Sequence, residues 1–320
     1  MITFGPVPSR RLGRSLGINN IPPKICSYAC GYCQLGRTPT MTVDRSSFYG
    51  TDALVRAARE AVARTTDAGE LIDYITFVPD GEPTLDRDLD EHLRALASLG
   101  IPIAVITNAS LLGQPQVRST LAAADWVSVK IDTVNEPVWR RLDRPHKALH
   151  LAAILDGILQ FAAAFDGTLV TETMLIRDVN ESREQVQSVA RFLERVDPAI
   201  AYLSVPTRPP AEAWAQPTDE TRLNRAVQIV DQHVARVELL TGYEGNAFSS
   251  TGDVRDDLLS ITAVHPMRRD AVEALLRKAT ASWSLVDGLI AADLLVATAH
   301  DGHTYYTRRL RPIPKDRSAV

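Results

Sequence analysis

Cysteine is scarce in this chain of 320 residues, and all of it lies in one short segment. The three cysteines are Cys26, Cys30 and Cys33, and the rest of the sequence has none. An odd, clustered set cannot form the disulfide framework of a small extracellular protein. These residues therefore indicate metal binding or redox chemistry.

A secretory leader and a long apolar run are also lacking. The first residues have no basic segment that leads into an apolar stretch. The most apolar segment, residues 151–165, is too short to span a bilayer and is interrupted by Asp156 and Gln160. The sequence therefore predicts a cytoplasmic protein without a membrane partner.

The chain has no overall excess of positive charge. It carries 35 Lys and Arg against 39 Asp and Glu, which leaves no global footprint for nucleic-acid binding. From Ala263 onward, nine basic minus six acidic residues give +3, so the rest carries −7 of the total of −4. The C-terminal end is therefore the part whose charge suits nucleic acid.

Short β-branched and apolar runs alternate with longer amphipathic ones over residues 15–236. This alternation is typical of a parallel sheet whose strands are joined by crossover helices. The predicted strands are residues 15–19, 73–78, 101–107, 126–132, 168–176 and 200–206. The predicted helices are residues 52–64, 88–99, 114–124, 151–165, 181–196 and 220–236. The pattern predicts an open, six-stranded relative of the α/β barrel over residues 1–240.

A second, smaller unit is predicted at the C-terminal end. Residues 241–253 are rich in glycine and serine, which favours a loop, and we expect a linker over 241–262. Two short helices follow at 267–279 and 283–291, and then a hairpin with strands at 294–299 and 304–310. This order predicts a winged-helix-like domain over 263–312 and a tail over 313–320.

The cysteines have C-x3-C-x2-C spacing, which puts three thiolates on one short loop and close enough together for one polynuclear centre. An electron-transfer ferredoxin normally uses four thiolates, so three leave one iron free to bind something else. An open metal position indicates catalysis. Two alternatives stay open: a zinc site made of the cysteines and a distant histidine, or buried structural cysteines.

This loop resembles that of the radical S-adenosyl-L-methionine (SAM) superfamily, which usually has an aromatic residue before the third cysteine, here Tyr32. The sequence Asp-Gly-Glu-Pro-Thr at 80–84 follows a predicted strand and is similar to the family's Gly-Glu motif. The resemblance implies a 4Fe-4S cluster whose vacant iron binds SAM and whose electron cleaves it to methionine and a 5′-deoxyadenosyl radical. It places Tyr32 near the adenine, and Gly81 and Glu82 at the methionine amino group.

Polar residues recur where predicted strands end. Asn108 follows the strand at 101–107, and Lys130 and Asp132 close the strand at 126–132. Barrels of this class place their sites at the carboxyl ends of strands, although any of these residues could be a cap or turn residue. The resemblance assigns residues at these places to the ribose and carboxylate of SAM. Further pocket candidates are Glu172, Thr173 and Met174 on the fifth strand, and Arg10, Arg11 and Arg14 before the cysteines.

Residues 5–17 and 204–210 look like the wyosine-synthetase-like branch of this superfamily, and that similarity spans nearly the whole chain. The branch implies a tRNA guanine as substrate. Its tricycle-forming members carry additional cysteines for a second cluster, which this chain lacks, so the substrate stays open. The aromatic and basic residues interleaved at 305–311 would suit an RNA-contacting wing.

Taken with the resemblance, the sequence predicts an α/β fold: a partial (β/α)6 barrel of radical SAM type plus a small C-terminal winged-helix domain. The expected activity is that of a radical enzyme on an unknown substrate, with tRNA as a candidate. A ferredoxin or flavodoxin is the expected electron donor. Two alternatives remain: a zinc-binding, winged-helix nucleic-acid-binding protein, and a radical enzyme that acts on a peptide docked at the C-terminal unit.

Overall fold

The computed structural model describes residues 2–242, 248 and 253–309. Within these residues an eight-stranded sheet curls into a partial (β/α) barrel, and a two-stranded ribbon lies beside it. The strands of the sheet and the ribbon, in chain order, are β1 (Thr3–Ser9), β2 (Gly13–Ile18), β3 (Ile25–Cys26), β4 (Thr40–Met41), β5 (Tyr74–Phe77), β6 (Ile103–Thr107), β7 (Trp126–Lys130), β8 (Thr168–Met174), β9 (Ile200–Ser204) and β10 (Val237–Leu240).

The order across the sheet is β1-β2-β5-β6-β7-β8-β9-β10, and β3 pairs with β4 in the ribbon. Every neighbouring pair from β2 to β10 is parallel, whereas β1 runs antiparallel to β2. The six predicted strands are confirmed as β2 and β5 to β9. All their carboxyl ends therefore open on the same rim of the barrel.

Helices cover the outer face of the sheet. They are α1 (Thr51–Asp67), α2 (Leu89–Ala97), α3 (Pro115–Leu121), α4 (Glu136–Leu142), α5 (Leu151–Ala162), α6 (Arg183–Val196) and α7 (Glu220–Val230). In α6 the Ser182 side chain accepts a hydrogen bond from the Gln185 backbone N–H and caps the first turn, and the apolar face buries Val186, Val189 and Leu193. No helix of the described ranges is long and apolar enough to cross a membrane.

The C-terminal unit contains the two helices and the hairpin that the sequence predicts. Its elements are α8 (Val254–Val264), β11 (Met267–Arg268), α9 (Arg269–Lys278), α10 (Ser284–Ala291), β12 (Leu295–His300) and β13 (His303–Arg308). The three strands form an antiparallel sheet in the order β11-β13-β12.

The predicted linker over 241–262 is wrong from residue 254 onward, because helix α8 begins there. The Asp253 carboxylate accepts hydrogen bonds from the backbone N–H groups of Arg255 and Asp256, and α8 buries the apolar residues Leu258 and Ile261. The earlier part of the predicted linker, apart from residues 241–242, 248 and 253, lies outside the described residues, and so does the tail at 313–320.

The C-terminal unit packs directly on the barrel. Helix α8 contacts β1, and Val7 of β1 joins the apolar core of the unit. The Tyr305 hydroxyl donates a hydrogen bond to the Thr207 carbonyl at 2.9 Å. Tyr305 and Tyr306 are only 3% and 5% exposed, so these two rings do not lie on the surface of the hairpin that the sequence suggested as an RNA-contacting wing. They belong instead to the core of the unit and to its junction with the barrel.

Candidate active site

A cavity of about 330 Å³ lies at the carboxyl ends of the parallel strands. Its walls come from the cysteine loop after β3, from the segments that follow β5, β6 and β9, and from the ends of β7 and β8. The candidate residues that line it are Cys26, Cys30, Cys33, Tyr32, Gly81, Glu82, Asn108 and Lys130. Eight of the nine residues that the sequence and the resemblance assigned to the cluster or to SAM therefore meet in one cavity, although they come from four separate parts of the chain.

The three cysteines are free thiols, each partly buried. Burial, with nearby Glu82 adding to it, raises the pKa of Cys26 to about 12, and burial also raises the pKa values of Cys30 and Cys33. Among the described residues no group of three His, Cys, Asp or Glu side chains is placed to hold a single metal ion, and all three thiols line the same cavity. A cationic iron centre would deprotonate them and take each thiolate at a separate corner. The donor set therefore fits a 4Fe-4S cluster.

A segment that follows β9, residues 205–217, holds the cysteine loop from outside, and we call it the strap. The Gly31 carbonyl accepts a hydrogen bond from the Glu212 backbone N–H at 2.9 Å. The Glu212 carboxylate also pairs with the guanidinium groups of Arg144, at 2.7 Å, and Arg37, at 3.1 Å. The Trp214 ring lies on Gly31 and has the Arg144 guanidinium 5.6 Å from its centroid. The strap thus fixes the backbone between Cys30 and Cys33.

The strap also connects the cysteine loop to the C-terminal unit. Arg208 Nη1 donates a hydrogen bond to Gln34 Oε1 at 2.8 Å, directly after Cys33 in the chain. The Arg208 Nη2 lies 2.9 Å from His265 Nε2, at the end of α8. Burial, together with Arg208, holds the pKa of His265 well below its usual value, so the imidazole is neutral. Val264 also lines the cavity, which makes the C-terminal unit part of its wall.

Tyr32 is held by two carboxylates. Its hydroxyl lies 2.5 Å from Asp132 Oδ2 and 3.1 Å from Asp143 Oδ1, and the Lys130 ammonium lies 5.0 Å from the ring centroid. Asp132 is not among the residues that line the large cavity; its other oxygen accepts a hydrogen bond from the Met174 backbone N–H at 2.6 Å. The structure therefore places Asp132 behind Tyr32 rather than at the cavity wall.

Lys130 belongs to a largely buried ion network. Its ammonium lies 2.9 Å from Glu172 Oε1, and Arg11 Nη1 lies 2.5 Å from Glu172 Oε2. Although burial alone would raise it, Lys130 and Arg11 lower the pKa of Glu172 to about 2. Glu172 and Met174 line the cavity, whereas the Thr173 hydroxyl between them donates to the Ile131 carbonyl at 2.7 Å. This is the alternation of side chains along a strand, which the sequence alone did not orient.

Glu82 is buried, with 1% of its surface exposed, and neighbouring residues of the chain donate hydrogen bonds to its carboxylate. Oε1 accepts from the Thr84 N–H at 3.0 Å, the Thr84 hydroxyl at 2.6 Å and the Thr107 hydroxyl at 2.6 Å, and Oε2 accepts from the Asn108 N–H at 2.8 Å. A carboxylate offers about four acceptor sites. Glu82 therefore ties the turn after β5 to the end of β6.

Gly81 is required by the close approach of the cysteine loop. A Cβ at this position would lie 2.0 Å from the Ile25 carbonyl oxygen, and its φ of 156° is rare for other residues. The Glu82 N–H donates to the same Ile25 carbonyl at 3.1 Å. Asn108 supports the loop from the other side, because its Nδ2 lies 3.6 Å from Cys26 Sγ and 2.9 Å from Ser27 Oγ. The loop is thus held to the ends of β5 and β6.

Sequence reasoning missed one charged pair in this wall. Lys24 Nζ lies 3.2 Å from Asp80 Oδ1, and the Lys24 backbone N–H donates to the Asp80 carbonyl at 2.7 Å. Burial raises the pKa of Asp80 to about 6, although Lys24 opposes the shift. The available signal was a lysine two residues before the first cysteine and an aspartate before Gly81. Of the three arginines before the cysteines, Arg10 and Arg11 line the cavity.

Comparison with known proteins agrees with this geometry. The family model described as the radical SAM superfamily matches residues 20–193, which contain all three cysteines and the turn after β5. The chain is 40% identical over 317 residues to the UPF0026 protein MJ1312 of Methanocaldococcus jannaschii, and the match covers 98% of each chain.

Two solved structures share the fold. A radical SAM methyltransferase from Sphaerobacter thermophilus matches with a TM-score of 0.55 and 18% identity, over 73% of this chain and 69% of that one. The structure of TYW1 with a lysine-pyruvate adduct bound matches with a TM-score of 0.53 and 15% identity, over 69% of this chain and 74% of that one. At sequence identities this low, the similarity shows a shared fold and nothing more.

Proposed function

Because the chain belongs to the radical SAM superfamily, we propose that it is a radical enzyme that holds a 4Fe-4S cluster on Cys26, Cys30 and Cys33. The superfamily uses this cluster together with SAM. When bound, the two cofactors supply reductive cleavage of the sulfonium to methionine and a 5′-deoxyadenosyl radical, which takes hydrogen from a substrate. The observation that supports the proposal is the single 330 Å³ cavity shared by three free thiols and the turn at Gly81.

The chain's own residues would position the cofactors. Asn108 and the strap hold the cysteine loop, and the Tyr32 ring at the cavity wall suits contact with the adenine. Asp132 fixes the Tyr32 hydroxyl from behind. Lys130, neutralised by Glu172, provides a polar wall for the ribose or the carboxylate of SAM.

Radical SAM enzymes generally need a reductant. We assign this role to a ferredoxin or flavodoxin, since either small carrier delivers single electrons to an iron–sulfur cluster. Residues 5–17 and 204–210, which resemble the wyosine-synthetase-like branch, support tRNA as the substrate. On this account the C-terminal unit is a winged helix that presents the RNA to the cavity.

One observation favours a peptide or protein substrate instead. The second helix of a nucleic-acid-reading pair needs cations for the phosphates and the base edges. The exposed positions of α10 are Ser284, Asp287, Gly288, Ile290 and Ala291, and the helix contains no Lys or Arg. With Tyr305 and Tyr306 buried as well, the described surface of the unit suits protein contact better than stacking on bases.

Anaerobic reconstitution tests the chemistry. The account expects a brown protein with about four iron and four sulfide per chain that releases 5′-deoxyadenosine from SAM when dithionite is added. Replacement of Cys26, Cys30 or Cys33 by Ser should abolish that release. A colourless protein that binds zinc and no sulfide would overturn the proposal and support the nucleic-acid-binding alternative. Crosslinking of the reconstituted protein to cellular RNA or to peptides then separates the two substrate classes.

A further inference from the structure

The outer side of the cysteine loop carries a basic face, which we define by Arg37, Arg141, Arg144 and Trp214. The guanidinium groups of Arg37 and Arg144 lie 3.1 and 2.7 Å from the Glu212 carboxylate. Those of Arg141 and Arg144 lie 5.7 and 5.6 Å from the centroid of the Trp214 ring. The Arg37 side chain is 78% exposed, and Arg141 is exposed as well. The four side chains are therefore neighbours on one surface that solvent reaches.

The basic face carries more positive charge than its acids neutralise. The Glu212 carboxylate serves two of the three arginines, and within the described ranges no acidic side chain forms an ion pair with Arg141. The cysteine loop and the two segments against it, residues 27–38, 136–150 and 205–217, carry six basic and three acidic residues, a net charge of +3. The whole chain carries −4, so the remainder carries −7. This local excess of positive charge beside the cysteines suits an acidic partner.

The basic face lies directly over the backbone that carries the cysteines. Trp214 packs on Gly31, which lies between Cys30 and Cys33 in the chain. The Gly31 N–H donates to the Leu142 carbonyl at 2.9 Å, so the same glycine also contacts the end of α4. A carrier docked on this face would be separated from a cluster on the thiols by the indole and the cysteine loop. Electron transfer slows steeply with distance, so a layer this thin favours it.

The basic face lies on the opposite side of the cysteine loop from the cavity. The described wall of the cavity contains none of its four residues, whereas Cys30 and Cys33 line the cavity from the other side of the loop. An RNA held by these arginines would have the cysteine loop between itself and the cavity. An electron carrier needs no entry to the cavity and has to come close to the cluster. The placement therefore favours a redox partner over a substrate, RNA included.

The side chains of the basic face select the chemistry of the partner. Trp and Arg are among the residues most enriched in the hot spots of protein–protein interfaces. A flavodoxin presents the edge of its flavin among surface carboxylates, so the flavin would meet the indole and the carboxylates would meet the guanidinium groups. We propose that the basic face is the docking surface for an acidic flavodoxin that reduces the cluster. The inference rests on the proposed function, and it names the partner and the surface that the partner uses.

The step at this surface is the transfer of a single electron. The electron leaves the anionic hydroquinone of the flavin, which becomes the neutral semiquinone, and enters the oxidised cluster. No proton moves, and no bond forms or breaks between the two proteins. The surface therefore controls the rate through docking and distance.

The rate of cluster reduction tests this docking surface. Stopped-flow mixing of the reconstituted protein with fully reduced flavodoxin, under anaerobic conditions and at low salt, follows the loss of visible absorption. The double variant Arg37→Glu/Arg141→Glu should lower the second-order rate constant by about tenfold, because complementary charge raises association rates by about 10-fold to 1,000-fold. Arg37→Lys/Arg141→Lys keeps the charges and should stay within about twofold of the wild type. Added salt should slow the wild type and bring the rates of the wild type and the Glu double variant together.

Arg56→Glu/Arg59→Glu is the matched control. It makes the same change of charge at two exposed positions of α1, a helix that packs on α2, β1 and β2. It should change the rate constant for flavodoxin by less than about twofold, since these charges lie away from the basic face. Dithionite, a small reductant that needs no docking surface, should reduce every variant at the wild-type rate.

Iron and sulfide are measured first on every variant. A wild-type protein without cluster contradicts the proposed function. A cluster-loaded wild type that dithionite reduces and flavodoxin does not, or an equal rate of reduction by flavodoxin in the two Glu double variants, would overturn only this inference. So would a loss of tRNA binding by Arg37→Glu/Arg141→Glu with unchanged reduction by flavodoxin, which would assign the basic face to RNA.

Discussion

The indole of Trp214 lies so close to Gly31 that a Cβ on the glycine would be 2.4 Å from Trp214 Cζ2. Gly31 sits between Cys30 and Cys33, and its N–H donates to the Leu142 carbonyl at 2.9 Å. The strap therefore closes over the cysteine loop on one side while α4 holds it on the other. This packing determines how firmly the loop can hold a cluster.

Gly31→Ala should disturb the loop. The added methyl group meets the Trp214 ring, and overpacking of this kind costs about 1–3 kcal/mol. We expect a lower midpoint of chemical unfolding and a lower iron content after reconstitution. Gly50→Ala is the control, because a Cβ there meets nothing within 4 Å. Equal iron content in wild type and Gly31→Ala would show that the contact does not shape the loop.

Trp214→Ala should expose the cluster loop to solvent. The ring has cation–π contacts with Arg144 and Arg141, each worth about 0.5–1 kcal/mol at exposed sites. We predict that the visible absorption of the reconstituted variant bleaches faster in air than that of the wild type, with Trp214→Phe in between. Trp283→Phe, at a ring in the C-terminal unit with the Arg269 guanidinium 4.9 Å from its centroid, is the control. Identical bleaching rates in wild type and Trp214→Ala would show that the strap does not shield the cluster from air.

Glu172→Gln should destabilise the barrel. It leaves the largely buried ammonium of Lys130 and guanidinium of Arg11 without their anion, and the cost of about 3–5 kcal/mol for one lost member of a fully buried ion pair is the upper bound here. Urea unfolding measures the loss. Glu136→Gln removes an exposed ion pair with Arg140 and should change the free energy of unfolding by less than about 1 kcal/mol. Similar losses of unfolding free energy in both variants would contradict a stabilising role for the ion pairs of Glu172 with Lys130 and Arg11.

The lowered pKa of Glu172 predicts that the stability of the protein depends on pH. Lys130 and Arg11 outweigh burial and hold the pKa of Glu172 at about 2, below the value of about 4.3 in an unfolded chain. The unfolded state therefore binds the proton more readily between these values. The stabilisation is fully present above about pH 4.3 and is lost as the pH falls through about 2. The difference in unfolding free energy between wild type and Glu172→Gln should shrink over that interval, and a constant difference would contradict the assignment.

Sequence patterns predicted the centre of the sheet better than its edges. Strands β5 to β9 are parallel and covered on both sides, so they read as apolar runs. Strand β1 was not among the predicted strands; it contains Pro6 and Pro8, which an edge strand tolerates. Helix α4, with seven residues, was not predicted, since so short a segment shows little of the helical period. Helix α8 follows a glycine-rich stretch that masked its start.

In the site, the position of a residue in the chain predicted its place in the cavity only where the residue belongs to a sequence motif. Alternation along a strand would put Lys130 and Asp132 on one face, but β7 ends at Lys130 and the chain turns, so Asp132 reaches Tyr32 instead. Lys24 and Asp80 meet only because the cysteine loop pairs with the turn after β5. Such a contact depends on the tertiary fold, and no local pattern predicts it.

The central claim is that three thiolates hold an iron–sulfur cluster with one position open to SAM. Electron paramagnetic resonance of the reconstituted, dithionite-reduced protein, recorded with and without SAM, tests it most directly. The account predicts the signal of a reduced 4Fe-4S cluster and a clear change in that signal when SAM is added. A protein without an iron–sulfur signal, or one whose signal is unaffected by SAM, would contradict it.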